Sequence, residues 1–216
     1  MSDIRFWLDA ASVLLVLANF GLLGSARIGV AIRLVAVQAI ALAFITLLGL
    51  SDDLTIRSTA LAAATLVLKG GLFPWLLFRA QREAKVEREV TPFLGYQFSL
   101  VCGVVALAAA VWLSRRLTLP LLASSMVVPV GFFMIFVGLF IIVTRRTALV
   151  QVLGYLVLEN GIAAFGLSIA GHEPLLVELG VLLDVFVAVF VMGIAIAHIN
   201  REFDHIEVDQ LAELRH

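Results

Sequence analysis

Up to residue 198 the chain is a succession of apolar runs about twenty residues long, each closed by a turn or a cluster of charge. A run of that length is what a helix needs to cross about 30 Å of hydrocarbon at roughly 1.5 Å per residue. Inside lipid no water serves the backbone N–H and C=O groups, so only helices and closed barrels cross it. These runs lack the polar and apolar alternation of a barrel strand, and the fold class that follows is all-α, a polytopic membrane helical bundle. Composition agrees: 62% of residues are hydrophobic and 14% charged, against about 25% charged in soluble domains.

Seven spans are expected, near residues 5–24, 30–50, 54–78, 92–113, 125–144, 148–170 and 174–198. The first five residues lack a strongly basic n-region and no convincing small-x-small cleavage site follows the first run, so that run reads as a retained helix rather than a signal peptide. Residues 1–79 hold the first three spans, 80–91 a charged cytoplasmic connection, 92–199 the last four, and 200–216 a short polar tail suited to docking. The connection places Arg79 and Glu83, and Lys85 and Glu89, at helical i,i+4 spacing. Thr91 and Pro92 then offer an N-cap and a first-turn proline for the fourth span.

Charge and metal-ligating residues exclude several functions. A net charge of −1 provides no basic face for nucleic acid. Cys102, the single cysteine, cannot form an intrachain disulfide or ligate an iron-sulfur cluster, and it reads as a small core hydrophobe. The histidines fall in a turn (His172), at a helix end (His198) and in the tail (His205, His216), where no two can hold a transmembrane haem. No cofactor and no catalytic chemistry of its own are expected of this chain.

The residues that ask for an explanation are the ionisable ones inside spans. Residues 151–198 form two apolar segments separated by Ala-Gly-His-Glu-Pro, and Glu159 and Asp184 lie about equally far from that turn, roughly 18 Å at 1.5 Å per residue. An acidic residue at a helix centre costs about 2.5–3.5 kcal/mol on insertion scales. The functional reading is a proton-accepting pair, since leaving water brings the two protonation states of a carboxyl closer in free energy. The bland reading is that a neighbouring hydroxyl, amide or lysine holds each carboxyl and it only fixes helix packing.

Lys69 lies about ten residues from Arg79, roughly 15 Å from the interface and beyond the reach of a snorkelling side chain. It is expected to approach a carboxyl of this chain or of a partner. Pro74 follows Gly70 and Gly71 and removes the helical hydrogen bond to residue 70, so a kink beside Lys69 is expected. Asn160 can hydrogen-bond a neighbouring helix. Glu178 sits one turn inside the seventh span, where a surface role and a relay role weigh equally. Gly154, Gly161 and Gly166 permit close helix approach, and the fourth and fifth spans are expected to face lipid or to pack.

The run Gln-Val-Leu-Gly-Tyr-Leu-Val-Leu-Glu-Asn-Gly at 151–161, Glu-Pro-Leu-Leu-Val-Glu-Leu-Gly at 173–180, Asp184, Phe-Val-Ala-Val-Phe-Val-Met at 186–192 and the tail at 206–214 resemble component E of the bacterial hydrogenase-4 complex. The Lys69 to Pro74 element and the span count agree with that family, whereas spans one, two, four and five match only as hydrophobic segments. The last two spans also resemble the K subunit of complex I and the C subunit of multisubunit sodium/proton antiporters. The resemblance implies a non-redox membrane subunit of a group 4 energy-converting hydrogenase or formate hydrogenlyase-type complex in the bacterial cytoplasmic membrane, beside antiporter-like and other membrane subunits. It places Glu159 at the position of the K subunit's membrane glutamate. The second K-subunit glutamate has no clear counterpart at that depth, and Asp184 and Glu178 are the alternatives. The roles implied are proton or sodium translocation along the membrane arm, a scaffold within that arm, or a C-subunit-like antiporter component. A free-standing transporter is disfavoured, since no internal repeat relates the spans.

The cations set the expected orientation. Arg5, Arg57, Arg115 and Arg116 fall on the amino-terminal side, four residues, while Arg27, Arg33, Arg79, Arg82, Lys85, Arg88, Arg145, Arg146, Arg201 and Arg215 fall on the other, ten residues, with Lys69 inside a span. The positive-inside rule then puts the amino terminus outside and the carboxyl terminus in the cytoplasm. Reporter fusions are expected to be active in the cytoplasm when joined at His216 and outside when joined at Met1; the reverse pattern overturns this orientation.

Overall fold

The computed structural model describes residues 2–49, 63, 66–83, 95–117, 126–145 and 147–169. The elements are α1 (Ser2–Gly24), α2 (Ile28–Gly49), a π-helical turn (Leu68–Leu72) that runs into α3 (Phe73–Glu83), α4 (Tyr96–Arg116), α5 (Val127–Thr144) and α6 (Ala148–Ile169). Five of the helices, α1, α2, α4, α5 and α6, are long and apolar enough to cross a membrane. The seventh span, with Glu178 and Asp184, and the tail lie outside the described residues, as does Thr91-Pro92. Within the described residues α4 begins after Gly95, whose ψ of 153° is extended rather than helical. The helix of the third span continues through residues 79–83, into the stretch expected to be the connection.

Among the described residues four helices make the centre. α5 packs along α6, α1 along α2, and the pairs join through α1 with α5 and α2 with α6, while α4 lies outside against α1 and α5 and the π turn with α3 lies outside against α2. The core is aliphatic and aromatic: Leu15, Leu23, Ile28, Ile32, Phe133, Met134, Val137, Leu153 and Val157 are buried. The outward faces are apolar as well, with Phe6, Trp7, Leu17, Val101, Val105 and Val143 exposed. A soluble protein would not present so continuous an apolar exterior, and lipid is the solvent that suits it. Among the five candidate spans of the described residues α4 is the most turned outward, with 17% of its apolar window buried, while α5 packs, with 56%. Trp75 with Arg79 and Trp112 with Arg116 stack ring against guanidinium at 5.7 and 5.3 Å near helix ends, as aromatic and basic residues do at membrane interfaces.

The contact between α5 and α6 is closer than their sequences suggest when read singly. A Cβ on Gly138 would lie 2.5 Å from the Leu158 backbone nitrogen and 2.7 Å from the Gly154 carbonyl, and one on Gly161 would lie 2.7 Å from the Ile135 nitrogen and 2.8 Å from the Gly131 carbonyl. Gly131 and Gly138 are seven residues apart on one helix, Gly154 and Gly161 seven apart on the other. Two helical turns separate each pair, so the glycines meet twice along one antiparallel seam and let backbone touch backbone. Without water to drive association, this dispersion contact is the main attraction available to the pair.

One end of the bundle is closed by a buried cation. Arg145, counted among the cations of the cytoplasmic side, is 2% exposed; its guanidinium donates to the Leu23 carbonyl at 3.3 Å and lies 5.8 Å over the Tyr96 ring. Leu23 belongs to the last turn of α1, where carbonyls lack helical donors and the dipole favours a positive group. Burial lowers the Arg145 pKa from the usual guanidinium value, and Tyr96 opposes that shift. Gln151 ties the same turn down by donating to the Arg145 carbonyl at 3.0 Å.

Gly138→Ala is expected to destabilise the protein by about 1–3 kcal/mol through overpacking against backbone, whereas Gly71→Ala, with no atom within 4 Å of the added carbon, is expected to be near neutral. Thermal melting in detergent compares the two, and equal stabilities would show that the glycine seam is not close-packed.

Candidate functional site

The site is built where a distorted helix meets a straight one. A proline at residue 74 brings no N–H and crowds the carbonyl four residues back, that of Gly70. The chain answers by widening: Phe73 donates its N–H to Leu68, five residues back, and residues 68–72 form a π turn. The kink expected here is thus expressed as a π turn, a feature that often marks functional positions. Gly70 lies against α2, since a Cβ there would come within 3.5 Å of Ile40. The turn carries Lys69 inward, where it is 6% exposed.

Glu159 approaches it from α6. The Lys69 Nζ donates to Glu159 Oε1 at 2.6 Å, and Glu159 is 2% exposed. Glu159 lies eleven residues into α6, roughly 17 Å from the helix start and so near mid-depth. At an effective dielectric near 20, opposite charges 4 Å apart gain on the order of 4 kcal/mol. That is comparable to the cost of placing one charge at a helix centre, about 2.5–3.5 kcal/mol. Pairing therefore roughly offsets insertion, a cost that either charge alone would carry unrelieved. The ionised pair and its neutral counterpart, amine and carboxylic acid, differ only by the place of one proton along a short hydrogen bond.

Asn160, the next residue along α6, is 1% exposed. It and Lys69 face a small cavity walled by Val35 and Ala39 of α2, Phe73 and Leu77 of α3 and Leu156 of α6. The structure thus brings together Lys69, Glu159, Asn160 and Pro74, four of the residues singled out in the sequence, although Lys69 and Glu159 are separated by 90 positions. Asp184 and Glu178 lie outside the described residues. Cys102 is half-buried on α4, and no cluster of metal-ligating side chains occurs among the described residues.

A further polar residue was missed. Gln38 on α2 is 0% exposed, and neither amide atom has a hydrogen-bond partner among the described residues. It stands between Val35 and Ala39, two residues of the cavity wall. The available signal was a lone amide in an otherwise apolar span, which could only be weighed once α2 was known to be an inner helix. Ser12 on α1 is likewise buried, its hydroxyl without a partner among the described residues.

A polytopic helical bundle with an ion pair locked at mid-depth defines a membrane protein whose central feature is a buried charge. The chain belongs to the family of the uncharacterised protein Rv0085 of Mycobacterium tuberculosis, strain H37Rv, with which it is 36% identical over 219 residues that cover the whole of both proteins. It is more distantly related to hydrogenase-4 component E of Escherichia coli K12, at 26% identity over 157 residues, 71% of this chain and 72% of that protein, and to the component E of Shigella flexneri at the same identity and coverage. No family model and no solved structure matches the chain.

The ion pair makes a thermodynamic cycle informative. Lys69→Met or Glu159→Leu alone strands one buried charge and is expected to cost about 3–5 kcal/mol, whereas the double variant is expected to recover most of that loss. Unfolding in detergent measures all four proteins, and additive losses would show that the two side chains do not depend on each other.

Proposed function

We propose that the chain is a non-redox membrane subunit of a hydrogenase-type, complex I-related assembly in a bacterial cytoplasmic membrane, and that Lys69 and Glu159 form a station on a lateral proton path through it. The observation that carries this reading is the buried contact of 2.6 Å between an amine and a carboxyl near mid-depth. The distant relation to hydrogenase-4 component E supports the kind of assembly. In this reading partner subunits perform electron transfer, and antiporter-like neighbours exchange protons with this one. Within the pair, the Lys69 N–H bond breaks as the Glu159 O–H bond forms; the pair is reset when Glu159 gives that proton to the next acceptor on the path and Lys69 takes up another. Such an exchange asks of both groups that they stay shielded from bulk water and in contact, and the burial of both among α2, α3 and α6 supports this. Asp184 is the next candidate station, with Glu178 beside it in sequence.

Glu159→Gln keeps size and hydrogen bonding but cannot carry the charge. The expected outcome is an assembled complex that retains part of its electron transfer while proton pumping into sealed vesicles falls at least about tenfold, in keeping with the usual worth of a proton-transfer group. Asp184→Asn is expected to give a weaker loss. Full pumping by an assembled Glu159→Gln complex would reduce the ion pair to a structural pin that sets helix register.

A further inference from the structure

The Asn160 side chain is 1% exposed, and its Oδ1 accepts no hydrogen bond from the described residues. Leaving a buried acceptor in that state costs about 1–3 kcal/mol, and buried polar atoms in folded proteins are nearly always satisfied, by protein or by ordered water. Asn160 lines the cavity beside the π turn, and the cavity's other polar residue is Lys69. Its volume for solvent is about 10 Å³, close to the minimum that holds one water molecule. Size rules out an organic ligand. The Lys69 ammonium disfavours a cation, and the Glu159 carboxylate in contact with it disfavours an anion.

We propose that this cavity is a binding site for a single water molecule, which donates to Asn160 Oδ1 and accepts a hydrogen bond from Lys69. The site stands on cavity size and the buried acceptor; only its role rests on the relay reading above. In that role the water is the group through which Lys69 is reprotonated. When the Lys69 proton has passed to Glu159, a hydronium at this position breaks one O–H bond, Lys69 forms one N–H bond, and neutral water remains. One proton crosses and no electrons are exchanged. The π turn contributes by directing Lys69 at once towards Glu159 and towards the cavity.

Radiolytic hydroxyl labelling of the full-length protein in its native membranes, read by mass spectrometry, tests the site directly. Radicals formed from a bound water oxidise the side chains that wall it, so Phe73 and Leu156 are expected to be labelled although Phe73 is 4% and Leu156 3% exposed, while Phe133, buried away from the cavity, stays unlabelled. Ala39→Val adds two methyl groups to the apolar wall and leaves Lys69, Glu159 and Asn160 in place; labelling at Phe73 and Leu156 is expected to fall severalfold. Asn160→Leu removes the acceptor and is expected to do the same. Absence of label at both residues in the unaltered protein overturns the proposal whatever the variants do, and so does undiminished labelling in folded Ala39→Val. Labelling requires no turnover, so the two readings fail separately. A labelled site with full pumping by Glu159→Gln keeps the water and removes the relay, whereas an unlabelled site with pumping lost in Glu159→Gln does the opposite.

Discussion

The neutralisation of one charge by another in the middle of the bundle is the constraint to which the other features answer. Lys69 and Glu159 meet at 2.6 Å with almost no exposure, and separately each would oppose insertion by several kcal/mol. Their contact demands that the third span and α6 stay within hydrogen-bond reach, although they pack on each other only lightly compared with their contacts to α2 and α5. α2 therefore acts as the shared support, touching the π turn, α3 and α6. An apolar helix with a single buried amide thus positions the two charged residues by packing against the elements that carry them.

Glu159 is fixed in turn by the glycine seam. Gly154 and Gly161 flank it on α6, and their close approach to Gly138 and Gly131 of α5 leaves the helix little freedom to rotate or slide. The contact is made of backbone against backbone, which is stiff compared with interleaved long side chains. The seam holds one side of α6, and Glu159 reaches Lys69 from another. The opposite arrangement holds on the lysine side, where Pro74 and the π turn replace regular helical bonding. A rigid helix thus presents the acid and a locally widened one presents the base.

Polar side chains elsewhere obey the same economy. Thr46 and Thr144 return their hydroxyls to carbonyls four residues back, at 2.9 and 2.6 Å, and the Asn19 amide nitrogen donates to Leu15 at 2.7 Å, so their helices satisfy these donors locally. Arg145 spans three helix ends to reach a carbonyl and a ring. Asn160 Oδ1 and both amide atoms of Gln38 depart from this pattern on the elements that surround the ion pair, as do Ser12 Oγ and Asn19 Oδ1 on α1 and one guanidinium nitrogen of Arg145, all buried without a partner among the described residues.

The sequence by itself determined the class of fold, because twenty-residue apolar runs in a chain with 14% charge have one solution in lipid. It also determined the depth of Glu159 and Lys69, since rise per residue converts position along a helix into distance from its end, and it marked Pro74 as the place where helical bonding fails. Which partner each charge takes was decided only by tertiary structure. Glu159 could be set at the depth of Asp184 from spacing alone, but its partner among the described residues is Lys69, 90 residues away, because α2 holds the π turn and α3 against α6. The closeness of α5 to α6 was equally hidden, since four glycines become a seam only when two helices adopt one antiparallel register. The same holds for Arg145, which a charge count assigns to solvent and the α1 terminus draws into the bundle. Rise per residue and hydropathy are properties of single helices, legible one span at a time. Pairing, register and burial belong to pairs of helices, and they are settled by which faces pack.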